Sequence, residues 1–207
     1  ARLEARLREW RDLRPDAEGG ELHGIAMDVR ELCERSGRAR LTEHLSSGLL
    51  DIVVSNVGTN VRKRAVEYDD HEIDHALDTN MRAAFVLAQT VHPLLVAGSL
   101  ARATAAPRSD WNASPFLPAP TSALVFVLSV AAHTHLPTGA PYGMSKAALV
   151  QLTRNLSVEW APEVRVNAIS PWYPDTPLAR QVLSTPGYHQ RVVEATPLGR
   201  VAHPDEV

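Results

Sequence analysis

The 207-residue sequence contains one cysteine, Cys33. An internal disulfide is therefore excluded, and a reducing compartment such as the cytoplasm or a plastid is expected. Charge of one sign is also lacking. Twenty-one Lys and Arg stand against 24 Asp and Glu, for a net charge of -3. Nothing in that balance draws the chain to nucleic acid or to an anionic membrane. No apolar run approaches the ~20 residues of a membrane span, so no membrane partner is expected. No initiator Met or signal peptide opens the chain; it starts on Ala1-Arg2-Leu3-Glu4, which reads as the middle of a helix. What the sequence does have is ordinary globular material, 44% apolar and 22% charged. That is enough apolar content for a core, and it excludes wholesale disorder. The length suits one domain.

Leu3, Leu7 and Trp10 recur on one side of an amphipathic helix that ends at Pro15. Residues 22–27 read as a short buried strand closing on Asp28-Val29, and residues 31–47 as a helix. Residues 49–54 read as a strand running into Ser55-Asn56-Val57-Gly58. A long helix is expected over 70–96, with Ile73, Leu77, Met81, Ala84, Ala88, Val91 and Leu95 facing inward. Residues 123–130 form a continuous apolar run, as in a strand covered on both faces. A helix from about Tyr142 to Trp160 and a strand over 164–170 follow. Alternating strands and helices imply an α/β fold with a parallel sheet, and its ligand site belongs at the carboxyl edge. Residues 98–121 hold four prolines and six alanines. They read as a surface loop inserted in a single domain.

Tyr142 and Lys146 are four residues apart near a helix start, so their side chains share one face. Ser129 lies thirteen residues before Tyr142 at the end of the most apolar strand, and Asn80 lies inside the long helix. A phenol is a weak acid, but a neighbouring ammonium favours the phenolate. Such a pair suits proton exchange with a carbonyl or alcohol oxygen, and a serine hydroxyl beside it can hold the same oxygen.

Asp28-Val29, SNVG at 55–58, Asn80, Ser129, YGMSK at 142–146 and RVNAISPW at 165–172 together resemble the short-chain dehydrogenase/reductase family. SNVGTNVRK at 55–63, PWYPDTPLA at 171–179 and TPLGR at 196–200 are similar to its tropinone-reductase-like branch. The resemblance implies a Rossmann-like, doubly wound parallel sheet. It implies an NAD(P)H-dependent oxidoreductase interconverting a small-molecule ketone and a secondary alcohol. NADP(H) is expected ahead of NAD(H), with a homo-oligomer for the full-length enzyme. Carried over to this sequence, Tyr142 is the general acid/base, Lys146 favours its phenolate and holds the nicotinamide ribose, and Ser129 orients the substrate oxygen. Asn80 positions a relay water. Asp28 and Val29 meet the adenine, Asn56, Val57 and Gly58 line the adenosine side, and Pro171 and Thr176 flank the nicotinamide. Asn80 and Asp28 also have plain structural alternatives, as a satisfied buried amide and as a turn cap. Arg62, Lys63 and Arg64 read as a solvated loop.

Several features depart from that pattern. The family's glycine-rich phosphate turn is absent, and the chain starts in what reads as the helix after the second strand. The expectation is an incomplete sheet, lacking the first two strands and the last one, in a fragment of a longer enzyme. A non-catalytic fragment or pseudoenzyme that cannot hold the dinucleotide is the alternative. Val57 replaces the family's usual alanine, and Ser55 its first asparagine. Pro174 stands where the family's backbone N–H meets the nicotinamide carboxamide, and proline has no N–H to give. His71-Glu72-Ile73-Asp74-His75 is a literal His-Glu-x-x-His, the zinc-protease spacing. Asp74 charges a helix position that such sites keep apolar, and acidic residues suit a first helical turn without a metal. No metal is expected.

Overall fold

A computed structural model describes residues 23–45, 48–105 and 121–207. The helix expected at Leu3–Trp10 lies outside these residues, as does most of the loop expected at 98–121.

Three parallel strands form one sheet in the order β1 (Ile52–Ser55), β2 (Ser122–Val127), β3 (Val164–Ile169). The register pairs Val54 with Val125 and Leu124 with Val166. Helix α1 spans Arg35–His44, α2 Asp70–Leu77, α3 Ala83–Ala105 and α4 Ala140–Glu159. Between α2 and α3 the chain continues as one π-helical turn, Asp78–Arg82. The parallel α/β architecture is the expected one. Ala84, Ala88, Val91 and Leu95 of α3 and Leu149 and Leu156 of α4 bury against Leu124, Phe126, Val164 and Val166 of the sheet. Among the described residues these two helices cover one face. On the other face Ile52 and Val54 are exposed, at 67% and 58%.

The boundaries differ from the sequence reading in several places. Residues 23–27 carry no strand. A strand is defined by its ladder, and none of the three described strands lies beside this segment. The helix expected at 31–47 is a 3-10 turn, Val29–Cys33, followed by α1. The first strand starts at Ile52, since Leu50 N–H is drawn instead to Leu94 O on α3, at 3.0 Å. The long helix runs nine residues past the expected 96; its alanines, read as loop, are strong helix formers. The whole helical stretch Asp70–Thr104 is long and apolar enough to cross a membrane by length and composition. Its apolar stripe is instead spent on the sheet. Strand β2 stops at Val127, so Ser129 falls just beyond it.

Two short helices, α5 (Pro177–Leu183) and α6 (Tyr188–Glu194), follow β3. Ala179, Leu183 and Val192 make a second, smaller cluster, against which Tyr173, Tyr188 and Val201 pack. These helices roof a cavity over the carboxyl ends of the strands.

Candidate active site

The cavity has a volume of about 340 Å³ and is lined by β1, β2 and β3 ends, by the start of α4 and by α5. Ser129, Tyr142 and Lys146 all face it, together with Asn56, Gly58, Pro171 and Thr176. Seven of the expected site residues thus meet in one space, although they come from four separated segments of the chain.

Helix α4 is set in place by Gly139, its N-cap, whose φ of 83° is left-handed and favours glycine. One turn on, Tyr142 and Lys146 share the cavity side. Lys146 Nζ donates to Val127 O at 2.8 Å and lies 5.8 Å from the Tyr142 ring centroid. Lys146 is only 4% exposed. Burial pushes its ammonium down to about 8 from the ordinary 10.5. Ser129 is the N-cap of a 3-10 turn, Val130–Ala132. Its Oγ accepts from Ala131 N at 3.2 Å, which leaves the O–H free to donate into the cavity.

Asn80 is fully buried in the π-helical turn. Its Oδ1 accepts from Thr59 N at 2.8 Å, and its Nδ2 donates to Thr59 O at 2.9 Å and Ser145 Oγ at 3.1 Å. The side chain therefore ties the loop after β1 to α4 and does not line the cavity. A Cβ on Gly58 would come within 3.4 Å of both Asn80 Oδ1 and Lys146 Nζ. The glycine keeps that approach open.

Asp28 sits apart from the cavity. Its carboxylate caps the 3-10 turn at Val29, accepting from Arg30 N at 2.9 Å and from the Arg30 guanidinium at 2.6 Å. The Arg30 side chain, first of all, holds this exposed carboxyl down at about 2. Asp28 thus has the cap role that stood as the alternative. Val57 is 57% exposed and does not line the cavity. Thr176 Oγ1 is the cap of α5, accepting from Ala179 N at 3.3 Å.

Some lining residues were not singled out from the sequence. Arg62, read as part of a solvated loop, reaches α5 instead, donating to Gln181 Oε1 at 2.6 Å and Leu178 O at 3.2 Å. Tyr173 and Tyr188 bond hydroxyl to hydroxyl at 2.9 Å, and burial, then this bond, pushes the Tyr173 phenol up. Asn60 is buried at the cavity wall. These lining residues come together only by folding; Ser145, adjacent to Lys146, is fully buried behind the wall, bonded to Asn80 and Tyr142 O. In the His71–His75 segment, Glu72 is engaged by Lys63 Nζ at 2.5 Å and by Asp69 N in a capping box. His75 Nδ1 lies 3.2 Å from the Arg30 guanidinium.

Comparison with known proteins agrees with the geometry. Residues 1–103 match the family described as short chain dehydrogenase, and residues 111–207 one described as enoyl-(acyl carrier protein) reductase. A tropinone reductase homolog of Arabidopsis thaliana is 37% identical over 206 residues, which are 99% of this chain and 68% of that protein. Senescence-associated protein 13 of the same plant is 34% identical over 209 residues, 99% of this chain and 66% of that one. A short-chain type dehydrogenase/reductase from Mycobacterium marinum superposes with a TM-score of 0.70 at 28% identity, covering 91% of this chain and 66% of its own. A gluconate 5-dehydrogenase from Burkholderia cenocepacia J2315, solved with NADP and tartrate, shares the fold with a TM-score of 0.78 at 24% identity, over 98% of this chain and 69% of that one. The chain spans about two thirds of the length of these relatives. The arrangement of Ser129, Tyr142 and Lys146 and these likenesses lead to one assignment: the chain belongs to the short-chain dehydrogenase/reductase family of oxidoreductases and is tropinone-reductase-like.

Proposed function

We propose that this protein interconverts a ketone and a secondary alcohol with a nicotinamide dinucleotide, NADP(H) ahead of NAD(H). The observation that carries the reading is the meeting of Ser129, Tyr142 and buried Lys146 on one cavity wall. The residues fit the ribose end of such a cofactor. Lys146 Nζ spends one N–H on Val127 O, so two remain for hydroxyl groups. Gly58 keeps the neighbouring space clear. At the carboxamide end the fit is poorer, because Pro174 has no N–H.

When bound, the dinucleotide supplies the hydride for reduction and accepts it for oxidation. Ser129 Oγ–H donates to the substrate oxygen and fixes its direction. Tyr142 gives that oxygen its proton in reduction and takes it back in oxidation. Lys146, held by Val127 O, keeps a positive charge beside the phenol while it is protonated. Asn80 holds the loop after β1 against α4. Its side chain is bonded to Thr59 and Ser145 and does not line the cavity, so a hold on a relay water falls to the backbone of the π turn.

Turnover of NADPH or NADH with a panel of ketones tests the reading. Tyr142→Phe removes only the transferable proton, so it should lower turnover by at least ~100-fold, the usual lower bound for a general acid. Nucleotide affinity should stay nearly the same. Lys146→Ala should weaken both. Wild-type turnover in Tyr142→Phe would remove the proposed acid/base. No binding of either nucleotide by the wild-type chain would favour the non-catalytic reading.

A further inference from the structure

The cavity wall carries an unbalanced charge. Two cations line it, Arg62 and Lys146, and among the described residues no Asp or Glu side chain does. Lys146 is committed to Val127 O and to the side of the Tyr142 ring. Arg62 is half-buried, and its guanidinium is held by two neutral acceptors on α5, Gln181 Oε1 and Leu178 O. These orient the group and leave its charge uncompensated. Two of its five N–H groups are used, so three remain. On the outside of the molecule other arginines have carboxylates: Arg30 has Asp28, Arg40 has Glu31, Arg180 has Asp175 and Arg200 has Glu206. Among the described residues no carboxylate pairs with Arg62.

The same space holds the acid/base. Tyr142, Tyr173 and Tyr188 line it together with Arg62 and with Leu178 of α5. Burial, then the bond to Tyr188, pushes the Tyr173 phenol up; the Arg62 charge works against that rise, and Tyr142 adds to it. Arg62 and Tyr142 are thus both within electrostatic reach of Tyr173. The Tyr173 phenol keeps its proton. In its pair with Tyr188 one hydroxyl donates to the other, which leaves the second proton free to donate. A guanidinium with open N–H groups is the side chain best matched to a carboxylate, in charge and in planar geometry.

We propose that Arg62 is a specificity-determining residue that binds a carboxylate on the substrate, apart from the reacting oxygen, so that the cavity prefers keto acids to neutral ketones. This rests on the ketone–alcohol reading above and names its substrate class. Tyr142 meets the carbonyl oxygen and Arg62 the carboxylate, so the substrate lies across the cavity from α4 toward α5.

The probes are 4-oxopentanoate, 5-oxohexanoate and 6-oxoheptanoate, which place the carboxylate at increasing reach from the carbonyl. Their primary amides keep the shape without the charge. Each is titrated by NMR, at low ionic strength, into the isotope-labelled 207-residue protein, wild type and Arg62→Gln. In the wild type at least one acid should bind about 5- to 12-fold more tightly than its amide, the surplus of a charge-assisted over a neutral hydrogen bond. In Arg62→Gln that ratio should fall to about one. If Arg62 served only to tether α5, acid and amide would weaken alike and the ratio would stay. The Arg62 Nε–H signal of the wild type gives a measurement that needs no variant: it should move further with the favoured acid than with its amide. No preference for any acid in the wild type, a preference that survives in Arg62→Gln, or a signal that moves alike with acid and amide would overturn the proposal. Binding needs no turnover. If the preference behaves as stated and none of these ketones is reduced, the carboxylate site stands and the proposed reaction fails. If ketones are reduced and no acid is preferred, the reaction stands and the role of Arg62 fails.

Discussion

Asn80 Nδ2 donates to Ser145 Oγ at 3.1 Å, joining residues 65 apart in the sequence. Ser145 Oγ in turn donates to Tyr142 O at 2.7 Å. Through these two bonds the π turn before α3 grips the first turn of α4, where the acid/base pair stands. A π turn inside an α-helix is rare and tends to mark functional sites. Here it turns a fully buried amide toward the neighbouring helix.

This relationship can be measured by a double-mutant cycle. Asn80→Ala orphans the Thr59 N–H and should cost about 2–4 kcal/mol of unfolding free energy, while Ser145→Ala should cost about 1 kcal/mol. The double variant should lose less than the sum, by at least about 0.5 kcal/mol. Denaturant titration of the four proteins reads it. Strict additivity would mean that the bond carries nothing.

Lys146 makes stability depend on pH. Burial lowers its folded value to about 8 from 10.5. Below pH 8 the lysine is charged in both states, and the folded protein bears the full cost of burying the charge. Between about 8 and 10.5 the unfolded chain holds more protons, so stability rises with pH. Relative to Lys146→Met, wild type should gain on the order of 3 kcal/mol across this window, at 1.36 kcal/mol per pH unit. A difference that is flat with pH would count against the buried position.

Pro174 bridges to Ala202 in parallel. Asp175 N donates to Ala202 O at 2.9 Å, and Ala202 N donates to Tyr173 O at 3.1 Å. The flanking residues face Ala202, so the nitrogen of residue 174 faces the other way, and Pro174 lines the cavity. Pro174→Ile would place an N–H there. It should tighten binding of the nicotinamide dinucleotide by about 2- to 12-fold, from one added neutral hydrogen bond. Affinity for adenosine diphosphate, which has no nicotinamide, should not change. Calorimetric titration of both ligands separates the outcomes, and equal tightening of the two would refute the placement.

Strand β1 has β2 on one side and no strand on the other among the described residues. On its uncovered face Ile52 and Val54 are exposed as well. An open, apolar edge pairs readily with another chain. The isolated 207-residue chain should therefore associate, and Val54→Lys should reduce the association. Light scattering at matched concentrations decides it; a wild-type monomer across the concentration range would be the contrary result.

The sequence by itself determined the parallel α/β pattern and the two strongest site residues. Tyr142 and Lys146 are bound by helical spacing, and Ser129 by its place after an apolar strand; such local periodicities are written directly in the chain. Boundaries were less legible where a local preference met a tertiary one. Residues 22–27 look like a strand, but ladder bonds need a neighbour that spacing cannot supply. The alanines after residue 96 look like loop beside so many prolines, but they extend a helix already anchored on the sheet. Asp28 carries both an adenine and a turn-cap expectation; the structure shows the cap, with the carboxylate accepting from Arg30 two residues on. Only the tertiary structure decided that Asn80 is spent on Thr59 and Ser145, that Arg62 reaches α5, and that Asn60 Oδ1 is buried without a partner among the described residues. Those outcomes depend on which polar groups meet across tens of residues, and a buried group's partner is a property of packing, not of sequence neighbours.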